Sequence, residues 1–147
     1  DGAYAGYKIA SMYPEKVKKL IAIGATKLSP NLRDFKFDVK QAFAFDSVYW
    51  KQQNKLMPEP ERLQEMFTKL GTMYNELTLD SSFFKMIQCP TLVMAGEKDL
   101  QNPPVRVLST AEMIFNHQIG IIPNAGHGVF LENFPAVWAC VVPFLNQ

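Results

Sequence analysis

Residues Ile119–Phe130 read IGIIPNAGHGVF, and this stretch decides how the chain is organised. Ile119, Ile121 and Ile122 make a short apolar run, Pro123 breaks it, and a small-residue loop follows with His127 between two glycines. An apolar run, a breaker and then Gly-His-Gly predict a strand ending in a tight loop that holds one imidazole at the edge of a sheet. A histidine so placed suits general-base work, because its ordinary pKa lies near neutral pH. The same residues also describe a solvent-exposed turn histidine. The remainder of the chain has to separate the two readings.

The strand upstream is the clearest in the chain. Thr91–Ala95, TLVMA, follows Cys89-Pro90 and precedes Gly-Glu-Lys-Asp. Its unbroken apolar run predicts a strand covered on both faces. Asp99 then stands just past the carboxyl end, where open α/β sheets gather their ligand and catalytic groups. Asn102-Pro103-Pro104 starts a helix to about Phe115, and a final helix over about Pro135–Leu145 directs Val137, Trp138, Val141 and Phe144 toward the sheet. At the other end of the chain a helix is expected from Ala3 to near Tyr13, closed by Pro14. Its small Ala5, Gly6 and Ala10 allow close approach to a sheet. Leu20–Ile23 is the strand that follows, closed by Gly24, and the three strands are expected to be parallel. Helix, turn and strand here make the second half of a βαβ unit, with its first strand expected outside these residues.

Between Thr26 and Met86 the character changes to aromatic and charged residues without strand-like alternation. One helix is expected over about Val39–Lys55 and another over about Pro60–Tyr74, where proline and Glu61 suit an N-terminus. A short amphipathic piece, Ser81–Ile87, leads back to the sheet, with Ser81 and Ser82 as its caps. The division expected is therefore a core of residues 1–25 and 87–147 with a helical cap over 26–86. The cap's aromatics, Phe35, Phe37, Phe43, Phe45, Tyr49, Trp50, Phe67 and Tyr74, mostly pack its helices together. A minority are expected to line a substrate pocket.

Composition narrows the partners. A chain of 147 residues, 48 % of them apolar, is one domain's worth and can bury a core. Fifteen basic residues against 14 acidic argue against nucleic acid or an anionic membrane surface as the main partner. No apolar run is long enough to cross a bilayer, and no signal-peptide pattern opens the chain. Cys89 and Cys140 have no metal or redox spacing and read as reduced core residues of a cytoplasmic protein.

Together CPTLVMAGEKD and IIPNAGHGVFLENF, with Asp99 and His127 28 positions apart, resemble the acid strand and histidine loop of an α/β-hydrolase. The resemblance covers nearly the whole chain and implies the C-terminal half of that fold: three parallel strands in chain order, flanking helices and a helical cap insertion. It implies a Ser-Asp-His hydrolase of ester, amide or related acyl bonds. Asp99 would orient, His127 would act as base, and a small or medium apolar acyl compound would be the substrate. Neither cofactor nor metal is implied. The opening DGAYAG resembles the end of the nucleophile elbow G-x-S-x-G and the helix after it. Counting back from Pro14 by the family's usual spacing puts the nucleophile immediately before Asp1, whose backbone N–H would then be an oxyanion donor. The residues alone are therefore expected to be inactive.

Alternatives to an external serine fare worse. GAYAG fits G-x-Y-x-G, but Tyr4 would lie inside the helix. Asp1 as the aspartate nucleophile of a dehalogenase-like enzyme is off by one in register. Ser11 lies deep in the helix, where backbone competition is its usual fate. A non-catalytic binding or receptor-like member of the family is a further reading. Without a neighbouring strand, Leu20–Ile23 would present an open edge, which predicts self-association or pairing with the N-terminal half.

Overall fold

The computed structural model describes residues 1–29 and 34–147; residues 30–33, inside the expected cap, lie outside the described residues. The chain divides into two compact units, Asp1–Lys27 with Leu79–Gln147, and Leu28–Thr78.

The first unit is built on three parallel strands, β1 (Leu20–Ile23), β2 (Thr91–Gly96) and β3 (His117–Ile122), in the order β1-β2-β3. Thr91 pairs with Leu20 on one side and His117 on the other, so the three strands start level. All six residues of β2 are buried, as its apolar run requires of a central parallel strand. The register puts Leu92, Met94 and Ile122 on one face, where they form a core with Val129, Val137, Val141 and Phe144. The last three of these belong to the closing helix α8 (Phe134–Leu145). Gly120 lets that helix approach, since a Cβ there would stand 3.2 Å from Cys140 Sγ.

On the opposite face the opening helix α1 (Gly2–Met12) packs on β1, and Gly6 leaves room for Leu20, whose Cδ1 would lie 2.9 Å from an added Cβ. Tyr7 of this helix is fully buried, edge-on to Phe84, with its ring 5.0 Å away. Burial pushes its phenol well above the ordinary tyrosine range. Lys19, just before β1, donates to the carbonyls of Phe144 and Leu145 at 3.0 and 2.8 Å. A cation there satisfies orphan carbonyls and opposes the negative end of the helix dipole.

Several boundaries differ from those read in the sequence. The expected helix over Val39–Lys55 is two, Val39–Phe45 (α2) and Ser47–Leu56 (α3). Asp46 leaves helical geometry between them and accepts the Tyr49 N–H at 2.9 Å, an N-cap that starts a new helix. The next helix, α4 (Leu63–Glu76), is preceded by a tight turn over Pro60–Arg62. Asp80, rather than Ser81 or Ser82, caps α5 (Ser81–Phe84). Helix α6 (Pro104–Ala111) stops short of Phe115, because Met113 and Ile114 turn back onto Thr110 and Ala111. That turn allows β3 to begin at His117, two residues earlier than its apolar run. A one-turn helix, α7 (Val129–Glu132), follows the histidine loop and has no counterpart in the sequence reading.

In the second unit the aromatics pack on one another. Phe37 meets Phe35, Phe67 and Tyr74, and Trp50 meets Phe43, Tyr49 and Phe67, all with ring centroids within 6.4 Å. Phe45 is exposed. Among the described residues no helix is long and apolar enough to cross a membrane.

The register gives a direct test. Ile122 is fully buried and Ile121, its neighbour on the other face, is 37 % exposed. Ile122→Ala should cost about 2–5 kcal/mol in urea denaturation, and Ile121→Ala clearly less. Equal losses would contradict the assigned faces.

Candidate active site

Asp99 and His127 meet where the loops after β2 and β3 come together. His127 Nδ1 lies 2.8 Å from Asp99 Oδ2. The other oxygen, Oδ1, accepts the backbone N–H groups of Gln101 and Asn102 at 2.9 and 2.8 Å. Both oxygens of this carboxylate therefore accept, and its geometry is fixed by the turn that carries it. A carboxylate accepting at Oδ2 puts the imidazole proton on Nδ1, which leaves Nε2 with a free lone pair. The Asp99 side chain is 1 % exposed and that of His127 43 %, so the imidazole reaches solvent and the carboxylate does not. Among the described residues no hydrogen bond occupies Nε2.

Local sequence explains why the loops can meet. A Cβ on Gly96 would lie 2.0 Å from the Gly126 carbonyl oxygen and 2.3 Å from that of Ala125, so only glycine fits there. The loops are laced together by Glu97 N–H to Ile122 O (2.9 Å) and Lys98 N–H to Ala125 O (2.8 Å). Asn124 takes a left-handed conformation, φ +58°, which asparagine tolerates better than most residues. Its N–H donates to Glu97 Oε2 at 2.9 Å, and its side-chain oxygen accepts from Lys98 Nζ at 3.0 Å. Asn133 Nδ2 donates to the Pro123 carbonyl at 3.0 Å. On either side of His127 the N–H groups of Gly126 and Gly128 both point to Glu132.

The end of β1 forms a wall of the site. Gly24, at φ +63°, faces the imidazole, and a Cβ there would stand 2.9 Å from His127 Cε1 and 3.6 Å from Asp99 Oδ2. Asp1 precedes the first turn of α1 as its N-cap, and its carbonyl accepts the Ala5 N–H at 3.1 Å. Among the described residues no hydrogen bond joins Asp1 to Asp99 or His127. The start of that helix is nevertheless on the same side as α7. Ala3 shares a groove of about 430 Å³ with Ile21, Ile23, Phe130, Trp138 and Val141. Tyr4 is buried within α1, its hydroxyl accepting the Thr26 N–H at 3.4 Å, and Ser11 is buried in the same helix. Among the described residues no group of three or more His, Cys, Asp or Glu is placed to hold a metal ion.

No protein-family model and no curated protein matches the chain. Solved structures do match it. A serine hydrolase involved in carbazole degradation superposes with a TM-score of 0.71 at 21 % identity, over 99 % of this chain and 60 % of its own. A thermophilic esterase from Thermogutta terrifontis gives 0.69 at 20 % identity, over 99 % and 61 %. A hydrolase from Pseudomonas aeruginosa gives 0.68 at 19 % identity, over 99 % and 62 %. The chain has the fold of the C-terminal part of an α/β-hydrolase, and it spans about three-fifths of the length of these structures.

Glu132 and Gly24 are the two site residues that the sequence reading passed over. Gly24→Ala should separate His127 from Asp99, since the methyl has no room and the backbone there disfavours L side chains. The expected result is loss of the downfield Nδ1–H proton signal of His127 in NMR, with the melting temperature lowered. A signal unchanged from wild type would show that the wall at Gly24 does not constrain the ring.

Proposed function

We propose that the intact protein hydrolyses an ester, amide or related acyl bond by a Ser-Asp-His mechanism. The single observation behind this reading is the buried Asp99 carboxylate holding the half-exposed His127 imidazole at 2.8 Å, on consecutive loops at the carboxyl ends of parallel strands. In this mechanism His127 Nε2 takes the proton of a serine hydroxyl as it attacks the acyl carbon. It then gives that proton to the leaving group, while Asp99 keeps the tautomer and stabilises the imidazolium. The serine is assigned to the position before Asp1, and the Asp1 backbone N–H, at the positive end of α1, becomes an oxyanion donor. This chain by itself is then inactive. The unit Leu28–Thr78 is read as a cap. The substrate is read as a small or medium apolar acyl compound.

The decisive experiment treats the intact protein with a fluorophosphonate and maps the labelled residue. Labelling is expected on a serine outside residues 1–147; stoichiometric labelling within them would overturn the assignment. In the same protein His127→Ala and Asp99→Asn should each lower kcat by about 10⁴-fold with the fold retained. Losses of only a few-fold would reduce His127 to a loop residue and favour a binding module.

The same reading places the rest of the core against β1. Among the described residues β1 pairs with β2 alone, and Ile21 and Ile23 line the open groove beside it. Such an edge is a template for another strand. Light scattering of this chain alone over a concentration series should show association. A constant monomer mass to high concentration would refute this use of the edge.

A further inference from the structure

We infer that Glu132 is the positioning residue of His127. The inference rests on the catalytic reading of His127 for its purpose and on independent geometry for its substance.

Among the described residues no backbone carbonyl accepts the N–H groups of Gly126 and Gly128, so these must be held by something else. Glu132 holds both. Its Oε2 accepts the Gly126 N–H at 2.7 Å and its Oε1 accepts the Gly128 N–H at 3.2 Å. These are the N–H groups immediately before and after His127. One carboxylate therefore holds the His127–Gly128 peptide plane, which leaves the His127 Cα, and the Ala125–Gly126 plane one residue before the plane that enters it, and so restrains the direction in which the side chain leaves the backbone.

The glycines are matched to this role. A Cβ on Gly126 would stand 3.2 and 3.3 Å from the two carboxylate oxygens, and one on Gly128 would stand 3.3 Å from Oε1. Both positions thus leave space that the carboxylate fills. Glu132 is in turn placed by α7. Its N–H and that of Leu131 bond to the Gly128 carbonyl at 3.1 and 2.8 Å, and Val129, 1 % exposed, anchors the turn in the core. The chain Gly-His-Gly-Val-Phe-Leu-Glu is in this sense a closed device: the residues after the histidine return a charged acceptor to the peptides around it.

The need for such a device follows from exposure. The imidazole is walled by Gly24 and held by Asp99, yet its side chain is 43 % exposed, so packing alone does not fix it. A misplacement of about 1 Å in a reacting group can cost roughly 10²-fold in rate. The chemistry of the acceptor also matters. A carboxylate offers an acceptor to each N–H, with charge-assisted bonds. Glutamine keeps the shape but turns an NH₂ donor toward one of the two N–H groups, and alanine removes both acceptors.

The test uses NMR of this chain. The hydrogen-bonded Nδ1 proton of His127 is assigned by comparison with His127→Ala, which leaves only His117, whose Nδ1 faces the Ile114 carbonyl at 2.6 Å. Glu132→Ala should abolish the His127 signal by exchange with water, and Glu132→Gln should retain a weakened one. Phe144→Ala, which destabilises a core site away from the loop, should leave it in place. If the signal in Glu132→Ala matches wild type, or if Phe144→Ala loses it equally, the inference is overturned. In the intact protein Glu132→Ala should lower kcat by about 10²-fold with KM within about twofold. A lost signal with unchanged kcat leaves Glu132 as the positioning residue and removes the catalytic reading of His127, so the two failures are distinct.

Discussion

The backbone contact at Gly96 is the constraint on which the rest of the site depends. Two loops leave adjacent parallel strands, and strands in a sheet are held roughly 5 Å apart. Aspartate and histidine are short side chains, so they meet only if the loops stay as close as the strands that feed them. The Gly126 carbonyl occupies the space where any other residue at position 96 would carry its Cβ. The two cross-loop backbone bonds, from Glu97 and Lys98, continue the ladder for one more step beyond the sheet. Asp99 and His127 are thus brought together by main chain.

Acidic side chains then take over from the ladder where it stops. Asp99 accepts from Gln101 and Asn102, Glu97 from Asn124, and Glu132 from Gly126 and Gly128. Each of these N–H groups lies in an irregular segment without a strand partner, and a carboxylate satisfies it more strongly than a neutral acceptor would. Only one of the three acids touches the imidazole. The others keep the loops in the shape that makes that contact available.

The sheet and the acid–histidine pair were legible because they rest on signals that survive in one dimension. The apolar run of β2 is continuous because its strand is buried on both faces, and each site residue falls a few positions after such a run. Helix ends were less legible. Asp46 lies within a helical pattern, and only its bond to Tyr49 shows that it ends one helix and caps the next. His117 and Gln118 are polar and half-buried at the edge of the sheet, so they do not read as strand; their pairing with Thr91 and Leu92 extends it to them. Helix α7 is a single turn and has no period to detect. Glu132 reaches His127 through the peptides of its neighbours from the end of a one-turn helix, Gly24 approaches it directly from a left-handed strand end, and neither relation has a spacing rule that announces it.

Lys19 gives the molecule a second end of a different kind. Its ammonium grips the last carbonyls of α8 beside the starts of the strands, while Asp99 and His127 stand past their finishes. Anchorage and chemistry are separated by the full length of the sheet. For anyone wishing to immobilise or label this protein, that separation defines a handle and a working face. A linker attached near the strand starts lies the length of the sheet away from the imidazole, whereas one attached in the loop after β3 lies beside it.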